Sequence, residues 1–475
     1  MNIVKLGTIN TRENLLAPRH VALSKMARPI KPESGRQKDA TSKSWEITGN
    51  TVYRQLAQGF MEEQPFFYDR NRLWWMWDRN KCYWHMVDEV DLMVAVDNWT
   101  RVESEKPAFR HGLIEALKKQ GRRNEPKQAP RTWIQFQDTI VDIEDMEEFQ
   151  ATPEYFVTNP IPWQLGESEA TPTIDKIFHD WVAGGDQGKT YVDTLHEIAA
   201  FCLLMDYPLH RIICLIGTGC NGKGSFIRLL ERFVGAGNYT SSDIHMLSNR
   251  VFETAKLYRK LLCTIGEIDK AIFRKTSLLK RLTGQDTIGF EIKRKNPFDG
   301  HNYAKIVIAT NTLPETTDKS DGFYRRWLIV DFPNKFEERG DVLENVPNVE
   351  FQNLARRSTM TLRRLLERGR FTNEGSIQQR REKYEKRSNM LDGFLNEYTR
   401  KDVNRALVYS ELYDRFTDHL KSQGLRQQSK VEFSKALAER GYEIKKKRFG
   451  QGVLHGVYGL TWKSEIEELE AKELT

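Results

Sequence analysis

The sequence predicts an α/β protein built around a parallel sheet, and three observations lead to this prediction. Residues 209–335 alternate apolar strands with helical segments, the pattern of a parallel sheet covered by helices. A glycine-rich loop follows one of these strands and opens a helix. A mixed α+β region and a helical region precede this part, and two helices with a basic hairpin follow it.

At roughly 100–200 residues per domain, the 475 residues suggest about two to four domains, and the periodicity changes several times along the chain. Apolar residues recur at helical spacing from Thr171, and charged helical segments fill 346–405. The predicted divisions are a flexible arm at 1–45, an N-terminal α+β domain at 46–170, a helical module at 171–208, the α/β core at 209–345, a helical linker at 346–405, a winged helix at 406–463 and an acidic tail at 464–475.

The composition excludes several classes of protein. Hydrophobic residues make up 39% of the chain and charged residues 29%, as in soluble globular proteins. No apolar run approaches the roughly 18 residues of a membrane-spanning helix, and the first residues lack the apolar stretch of a secretory signal. The five cysteines form no CxxC pair, which argues against a zinc ribbon or a disulfide framework. We therefore expect a cytoplasmic protein without a membrane partner.

The basic excess is concentrated in one segment. The formal net charge is +7, and residues 380–448 hold about 18 basic and about 11 acidic side chains, which accounts for the whole excess. Two interpretations stay open: a solvated helical face, or a surface for an anionic polymer such as nucleic acid.

Aromatic residues are concentrated in 66–100. The polar residues 78–81 interrupt β-forming side chains there and predict a hairpin turn. The tryptophans can stack on the bases of a single strand or pack a small β-domain, and we favour packing because large aromatic side chains mostly fill cores. Asp88, Asp91 and Asp97 are expected on the solvent face of a strand pair.

The most specific motif is the glycine-rich loop after the apolar strand at 211–216. Glycines let a backbone wrap around phosphates, and the amide groups and the helix N-terminus then meet the negative charge. Lys223 is expected to reach the β- and γ-phosphates, whereas Gly224 stands where Ser or Thr normally ligates Mg²⁺. The predicted nucleotide-binding residues are Gly217, Gly219, Asn221, Gly222, Lys223, Gly224 and Ser225.

Two later strands of this core end in polar residues. Glu267 and Asp269 follow the strand at 260–265, and Asn311 follows the strand at 305–309. A carboxylate at this place polarises water and holds Mg²⁺ in nucleotide hydrolases, so Glu267 is the candidate water-activating residue and, with Ser225, a metal ligand. Asn311 can bond the γ-phosphate or the attacking water. Ordinary cap or turn residues are the alternatives.

Two arginines and a basic loop accompany these strands. Arg325 and Arg326 precede an apolar strand, where an arginine forms an ion pair or stabilises charge in a neighbouring subunit; Arg326 is preferred for the second role. Between the acidic strand end and Asn311, a predicted hairpin carries Lys293, Arg294 and Lys295 at its tip, which is either solvated or grips phosphates.

The C-terminal unit is basic as well. Ser429 and Glu432 form a predicted capping box, so a helix begins there, and Arg440 ends it. Two helices and a basic hairpin predict a winged helix, which binds duplex DNA or another protein, and its charge favours DNA. The predicted DNA-binding residues of this unit are Lys430, Lys435, Lys445, Lys446, Lys447 and Arg448.

Taken together, these motifs resemble the superfamily 3 helicases, specifically the poxvirus-type and the phage and plasmid primase–helicase branch. The resemblance rests on a loop with Asn before Gly-Lys, an acidic strand end, LKRLTGQD, IATNTLP and FYRRWLIVDF. It is most specific over 209–335 and extends back to WIQFQDTIVDI and FVTNPIPW, without an evident primase half. The single acidic residue after Gly266 departs from the tandem acidic pair of the family.

The resemblance implies a ring-forming AAA+ motor, as a hexamer, that uses ATP and Mg²⁺ to unwind DNA in phage, viral or plasmid replication. Lys223 then binds phosphate, Glu267 is the Walker B residue, Asn311 is sensor 1, and Arg326 or Arg325 acts in trans. The hairpin at 293–295 corresponds to the DNA-gripping loop.

We therefore expect an ATP-driven DNA helicase or translocase that binds single-stranded and duplex DNA, in the host cytoplasm if the chain is viral. Other replication proteins are further expected partners. A DNA-binding initiator whose ATP state controls assembly is the first alternative, and a small-molecule kinase with a phosphate loop is the second.

Overall fold

The structure is a computed structural model that describes residues 49–100, 106–137, 139–183, 188–217, 219–249, 251–266, 276–293, 295–337, 340–388, 390–422, 427–450 and 452–463. The predicted arm and acidic tail lie outside the described residues, as do Glu267, Asp269 and Arg294. The chain divides into two compact units. Among the described residues, one unit holds those up to 128 together with 152–158, and the other holds 129–151 and those from 159 onward.

Helices and strands follow one another in both units. The helices are α1 (Gly49–Glu63), α2 (Glu89–Thr100), α3 (Pro107–Arg123), α4 (Pro172–Val182), α5 (Gly188–Phe201), α6 (Lys223–Val234), α7 (Ile244–Asn249), α8 (Ser277–Leu282), α9 (Asp321–Tyr324), α10 (Asn348–Arg368), α11 (Ile377–Ser388), α12 (Met390–Tyr398), α13 (Tyr409–Ser422) and α14 (Lys430–Glu439). Within the described ranges, no helix has both the length and the apolar character that crossing a membrane requires.

The strands are β1 (Phe66–Tyr68), β2 (Trp74–Asp78), β3 (Tyr83–Val87), β4 (Lys127–Gln128), β5 (Trp133–Gln135), β6 (Thr139–Asp142), β7 (Glu148–Gln150), β8 (Tyr155–Phe156), β9 (Ile212–Ile216), β10 (Tyr239–Ser242), β11 (Leu262–Ile265), β12 (Thr287–Phe290), β13 (Phe298–His301), β14 (Lys305–Thr310), β15 (Trp327–Asp331), β16 (Thr399–Val408), β17 (Ile444–Phe449) and β18 (Gly452–Trp462).

The aromatic residues of the first unit fill its core. β1, β2 and β3 form an antiparallel sheet, and the predicted hairpin is confirmed because β2 pairs with β3 and places Trp77 opposite Trp84. Trp74, Trp75 and Trp77 are at most 5% exposed, and Trp84 is 0% exposed. The interpretation of these rings as packing residues is therefore confirmed, since buried rings present no face to a nucleic acid base.

The prediction of a strand pair that carries Asp88, Asp91 and Asp97 is wrong. The carboxylate of Asp88 accepts a hydrogen bond from the N–H of Asp91 at 2.8 Å, and α2 begins there. Leu92 and Val96 are buried at the i, i+4 spacing of a helix. The apolar residues of this segment thus line one side of a helix. The helical spacing is hard to recognise in the sequence because the segment directly follows the β-forming residues of β3.

The second unit contains a parallel sheet with the strand order β10-β11-β14-β9-β15. The predicted α/β class with a parallel sheet is confirmed. Ile216 at the end of β9 lies opposite Thr310 at the end of β14 and opposite Asp331 at the end of β15. The carboxyl ends of these three strands therefore share one edge of the sheet, where ligands of open α/β sheets bind.

One hydrophobic core joins this sheet to the surrounding helices. Phe178 of α4, Phe226 of α6 and Leu354 of α10 are fully buried in it together with Ile213 of β9. Residues of β5 and β6 belong to the same core. The chain passes from one unit to the other at 128 and 159, and not at the predicted boundary of 170. The strands β5 and β6 share one core with the helical module at 171–208 and the parallel sheet, so they belong to the same unit.

The predicted helical linker at 346–405 contains α10, α11 and α12, but the helical prediction is wrong for its last part. β16 begins at Thr399 and pairs with β18, with Thr399 opposite Trp462. Most side chains of β16 are polar and at least partly exposed, and Val403 is 89% exposed. The strand is specified by its distant partner β18, and its own charged sequence carries little apolar alternation.

The C-terminal part has a core of its own, formed by α12, α13, α14 and the strands around them. The predicted helices at 410–422 and 429–440 are α13 and α14, and the predicted strands are β17 and β18. The predicted capping box is confirmed: the N–H of Glu432 donates to Ser429 Oγ at 3.2 Å, and the N–H of Ser429 donates to the Glu432 carboxylate at 2.8 Å. The antiparallel sheet has the order β16-β18-β17.

Candidate nucleotide-binding site

The predicted phosphate loop lies between the end of β9 at Ile216 and the start of α6 at Lys223. Gly219 and Gly222 have φ angles of 85° and 92°, in the left-handed region that glycine adopts without strain. A Cβ atom at Gly222 would lie 2.2 Å from the indole ring of Trp181. The end of the loop therefore requires glycine both for its backbone conformation and for its close approach to α4.

The start of the loop is equally close-packed. A Cβ atom at Gly217 would lie 2.5 Å from the carbonyl oxygen of Phe332. Asn221 donates a hydrogen bond to that same carbonyl at 3.3 Å, and its side chain is 3% exposed. Asn221 thus shapes the loop by fastening it to the residue that follows β15.

Lys223 brings the predicted site residues together. Its ammonium group donates to the carbonyl of Gly217, to Asn221 Oδ1 at 3.0 Å and to Asn311 Oδ1 at 3.3 Å. The residue is 7% exposed, so the charge is held inside the loop and not in bulk solvent. An ammonium group in this place can exchange carbonyl oxygens for the more strongly charged oxygens of a phosphate.

The sheet positions Asn311. It follows Thr310, the last residue of β14, whose carbonyl accepts a hydrogen bond from the N–H of Gly217 at 3.4 Å. The hydroxyl of Thr310 donates to the carbonyl of Thr312 at 2.8 Å, which turns the chain directly after the strand. The side chain of Asn311 therefore reaches the phosphate loop from the neighbouring strand, as its position after an apolar strand predicts.

Asp331, which is not among the predicted site residues, lies at the same edge. Its carboxylate pairs with Lys383 Nζ at 2.9 Å and with Arg387 Nη2 at 2.7 Å. Burial raises the pKa of Asp331, but the two cations outweigh burial and lower the pKa below its usual value. An acidic residue at the end of an apolar strand is the signal that could have found it. Its partner Arg387 stands 56 residues further along the chain, where no local pattern connects them.

Ser225 lies in the first turn of α6 and contacts protein groups. Its Oγ accepts a hydrogen bond from Arg228 Nη2 at 3.1 Å, and the same nitrogen lies 3.3 Å from a carboxylate oxygen of Asp341. Among the described residues, no group of three or more His, Cys, Asp or Glu residues is placed to hold a metal ion. One hydroxyl fits an Mg²⁺ whose other ligands are phosphate oxygens and water. The metal roles of Ser225 and Glu267 stay predictions.

The structure gives Arg325 and Arg326 different surroundings. Arg326 is 7% exposed, and its guanidinium donates to Thr283 Oγ1 at 2.9 Å, to the carbonyl of Lys280 at 3.1 Å and to the carbonyl of Gly322. These bonds enclose the Arg326 side chain within the chain, whereas Arg325 is exposed. Which of the two acts in trans stays a prediction.

The predicted basic hairpin is present as β12 and β13, which pair antiparallel with Phe290 opposite Phe298. Lys293 and Lys295 are exposed in the connection, and the N–H of Lys295 donates to the carbonyl of Ile292 at 2.9 Å. The tip thus presents ammonium groups to solvent on a short turn. Contact between these groups and DNA stays a prediction.

The basic residues of the C-terminal unit differ in their surroundings. Lys447 lies over the ring of Tyr458, with its ammonium 5.3 Å from the ring centroid. Arg440 is taken up by ion pairs with Asp392 at 2.5 Å and Glu315 at 3.7 Å, so it fastens α14. Of the DNA-binding residues predicted in this C-terminal unit, the exposed ones are Lys430, Lys435, Lys445, Lys446 and Arg448.

Comparison with known proteins gives partial matches. A family of unknown function (DUF5906) matches residues 215–326, which run from β9 to Arg326 and include every predicted residue of the loop from Gly217 onward. The chain is 24% identical over 165 residues to a protein of Acanthamoeba polyphaga mimivirus that is provisionally named helicase L207/L206. That match covers 33% of this chain and 17% of the viral protein, so the chain spans a small part of its relative.

Two apo structures of the C-terminal region of NrS-1 are also similar to this chain. One has 11% sequence identity and a TM-score of 0.42, and the match covers 85% of this chain and 98% of the NrS-1 chain in that structure. The other has 13% identity and a TM-score of 0.42, over 86% and 99% of the two chains. The mimivirus match relates part of this chain to a viral protein that carries the name of a helicase. The finer assignment to superfamily 3 stays a prediction.

Proposed function

We propose that this chain is an ATP-driven DNA helicase or translocase of a phage, viral or plasmid replication system, and that it acts as a ring. The observation that carries the proposal is the contact of Lys223 with Asn311 at the carboxyl edge of the parallel sheet. A phosphate-loop lysine and a polar residue from the adjacent strand can bind one γ-phosphate together when their side chains lie this close. The relationship to a viral protein named as a helicase supports the same function.

The nucleotide is ATP in this proposal, and the core is of the AAA+ type. The strand that leads into the phosphate loop lies between β14 and β15, so residues from three strand ends surround one point. Lys223 and the loop amides bind the phosphates, and Asn311 bonds the γ-phosphate or the attacking water. Bound Mg²⁺ would neutralise charge on the phosphates, with Ser225 and Glu267 as its protein ligands. Glu267 would also orient the water.

A ring explains why the two arginines have different surroundings. Arg326 is enclosed by its own subunit, whereas Arg325 is exposed one residue earlier. In a closed ring, Arg325 would reach the γ-phosphate held by the neighbouring subunit, where a guanidinium stabilises the charge of the transition state. Hydrolysis then depends on assembly, which we propose to be a hexamer.

DNA is the polymer that the ring would move. Lys293 and Lys295 at the exposed hairpin tip supply phosphate contacts in the channel. The C-terminal unit has the element order α12-β16-α13-α14-β17-β18 and a basic hairpin, which supports a winged helix that binds duplex DNA. The chain would act in the host cytoplasm, beside other replication proteins.

A forked DNA substrate tests this function. The wild-type protein is expected to hydrolyse ATP faster with DNA present and to separate the fork, while Lys223→Ala does neither. A protein that binds DNA and ATP but separates no strands would be the initiator that the sequence also allows. ATP turnover that does not respond to DNA would favour a small-molecule kinase. The mass of the particle with ATP and DNA gives the number of subunits.

A further inference from the structure

One face of α11 holds the loop that begins at Asn311. Tyr384 donates a hydrogen bond from its hydroxyl to the carbonyl of Pro314 at 2.8 Å. The N–H of Leu313 donates to the carbonyl of Arg387 at 3.4 Å. The polypeptide that follows Asn311 is thus attached to α11 at two consecutive residues.

The same turn of α11 also holds β15, the strand that begins two residues after Arg325. Lys383 donates to the carbonyl of Ile329 at 2.8 Å and pairs with Asp331 at 2.9 Å, and Arg387 pairs with Asp331 as well. Residues 383, 384 and 387 therefore connect one helical turn both to the loop that begins at Asn311 and to the strand that follows Arg325.

Burial makes these contacts act together. Tyr384 is 0% exposed, and its ring packs against Trp327 and Phe323 with centroid distances of 4.8 Å and 5.2 Å. Burial lowers the pKa of Lys383, but Asp331 outweighs burial and raises the pKa, so the ion pair stays charged. Since interiors are close-packed, α11 cannot shift without moving the Asn311 loop, β15 or both.

The other end of α11 leads into the C-terminal unit. α11 ends at Ser388 and α12 begins at Met390, and Phe394 of α12 is buried in the core of that unit. A second link comes from α14, where Arg440 lies 3.7 Å from Glu315, next to Pro314 in the Asn311 loop. The unit with the basic hairpin is therefore joined to the nucleotide site at two places.

We propose that α11 transmits DNA binding at the C-terminal unit to Asn311 and Arg325, with Tyr384 and Lys383 as positioning residues. This inference rests on the proposed function. DNA would favour one position of α11 against the sheet, and that position would set the loop of Asn311 and the start of β15. Because coupling is reciprocal, ATP binding would change DNA affinity by the same factor that DNA binding changes ATP affinity.

Tyr384→Phe tests the proposal, because it keeps the buried ring and removes only the bond to Pro314. Turnover of ATP and the Kd of ATP are measured with and without a duplex that carries a single-stranded tail. We expect the stimulation by DNA to fall at least about threefold, since mutations between two coupled sites change the coupling by about 2- to 30-fold. Turnover without DNA and the Kd of DNA should stay within about twofold. The matched control is Tyr303→Phe, which loses a 2.9 Å bond to Asn159 near the opposite end of β14.

Glu315→Gln provides a second variant, at a residue whose side chain is 50% exposed. It should weaken the stimulation in the same direction and by less. Stimulation unchanged in both variants overturns the coupling, and so does an equal fall of basal and stimulated turnover, which indicates a purely structural Tyr384. A wild-type protein whose ATP turnover ignores DNA overturns the proposed function and this inference with it.

Discussion

Lys223 and Asn311 stand 88 residues apart in the chain, and their side chains meet with 3.3 Å between Nζ and Oδ1. The contact joins the first turn of α6 to the end of β14 across the carboxyl edge of the sheet. A lysine held there is already close to the place where phosphate charge develops, so little reorganisation accompanies catalysis.

Replacement of either residue should separate binding from turnover. Lys223→Ala is expected to abolish ATP hydrolysis with little change in thermal stability. Asn311→Ala is expected to lower the turnover number by about 10²–10³ and to change ATP affinity much less, since a polar group that acts on the transition state costs roughly this factor. Steady-state hydrolysis and calorimetric ATP binding measure the two effects. Lys319→Ala, an exposed lysine outside the loop, is the control, and near-normal hydrolysis by Lys223→Ala would contradict the site.

Gly222 at the end of the loop and Gly224 in the first turn of α6 should respond differently to replacement by alanine. Gly222→Ala places a Cβ atom 2.2 Å from Trp181 in a backbone with φ of 92°, so it should weaken ATP binding and lower the unfolding temperature. Gly224→Ala is the matched control, because its nearest neighbour would be Arg228 at 3.7 Å and alanine favours a helix. Calorimetric melting and ATP titration measure both variants. Equal loss in the two variants would show that steric fit at Trp181 does not decide the conformation of the loop.

The adjacent arginines should fail for different reasons. Arg325→Ala is expected to fold normally and to lose about 10³–10⁵ in turnover, as for an arginine supplied in trans. Arg326→Ala removes the partner of a buried hydroxyl and two carbonyls, and should cost about 1–3 kcal/mol in the free energy of unfolding. Rings mixed from Arg325→Ala and Lys223→Ala subunits should regain turnover that neither shows alone. No recovery on mixing would place Arg325 in its own subunit's site or outside catalysis.

The C-terminal basic residues should set DNA affinity through charge. Neutralising Lys445, Lys446, Lys447 and Arg448 together should weaken binding to duplex DNA and reduce the slope of log K against log salt by about 0.9 for each DNA phosphate that the protein no longer neutralises. ATP turnover without DNA should be unchanged. Fluorescence titrations over a range of salt concentrations measure the slope. An equal number of neutralised cations at Lys256, Lys319, Arg363 and Lys118 is the control, and unchanged duplex affinity would indicate a protein-binding unit.

Lys305 should give the second unit a pH-dependent stability. Burial lowers the pKa of Lys305 from 10.5 to about 7, although Cys202 and Asp206 oppose the shift. Between these values the unfolded chain binds the extra proton, so the free energy of unfolding rises with pH from about 7. Urea unfolding at pH 7 and pH 9 should show a gain of about 1–3 kcal/mol in the wild type that Lys305→Met lacks. The same gain in both proteins would show that Lys305 does not titrate in this range.

Local patterns predict much of the site from the sequence. The phosphate loop and Asn311 each follow a short apolar strand, and the capping box at Ser429 requires only four residues. Such features depend on chain neighbours, so the sequence alone reveals them. Arg325 and Arg326 also stand in an informative place before an apolar strand, but the directions of their side chains depend on where Thr283 lies in the folded chain. The sequence therefore leaves open which of them acts in trans, and we propose Arg325 because it is exposed.

Features that depend on distant partners could not be predicted in this way. β16 is a strand because β18 lies beside it, and its own residues resemble a charged helix. Asp331 is held by Lys383 and Arg387 from a helix that the sequence shows only as charged. The boundary of the first unit likewise depends on which surfaces β5 and β6 cover, a property of packing and not of composition.

The position of β18 has a consequence for the biosynthesis of the protein. β18 is the central strand of its sheet and is the last of the three strands in the chain, after β16 and β17. As the chain leaves the ribosome, β16 and β17 emerge before the strand that pairs with both, so the sheet cannot close until 452–462 are made. The parallel sheet is complete at Asp331, which allows it to form earlier. A nascent chain that stalls before Gly452 would expose two unpaired strand edges to neighbouring chains, which is a route to aggregation.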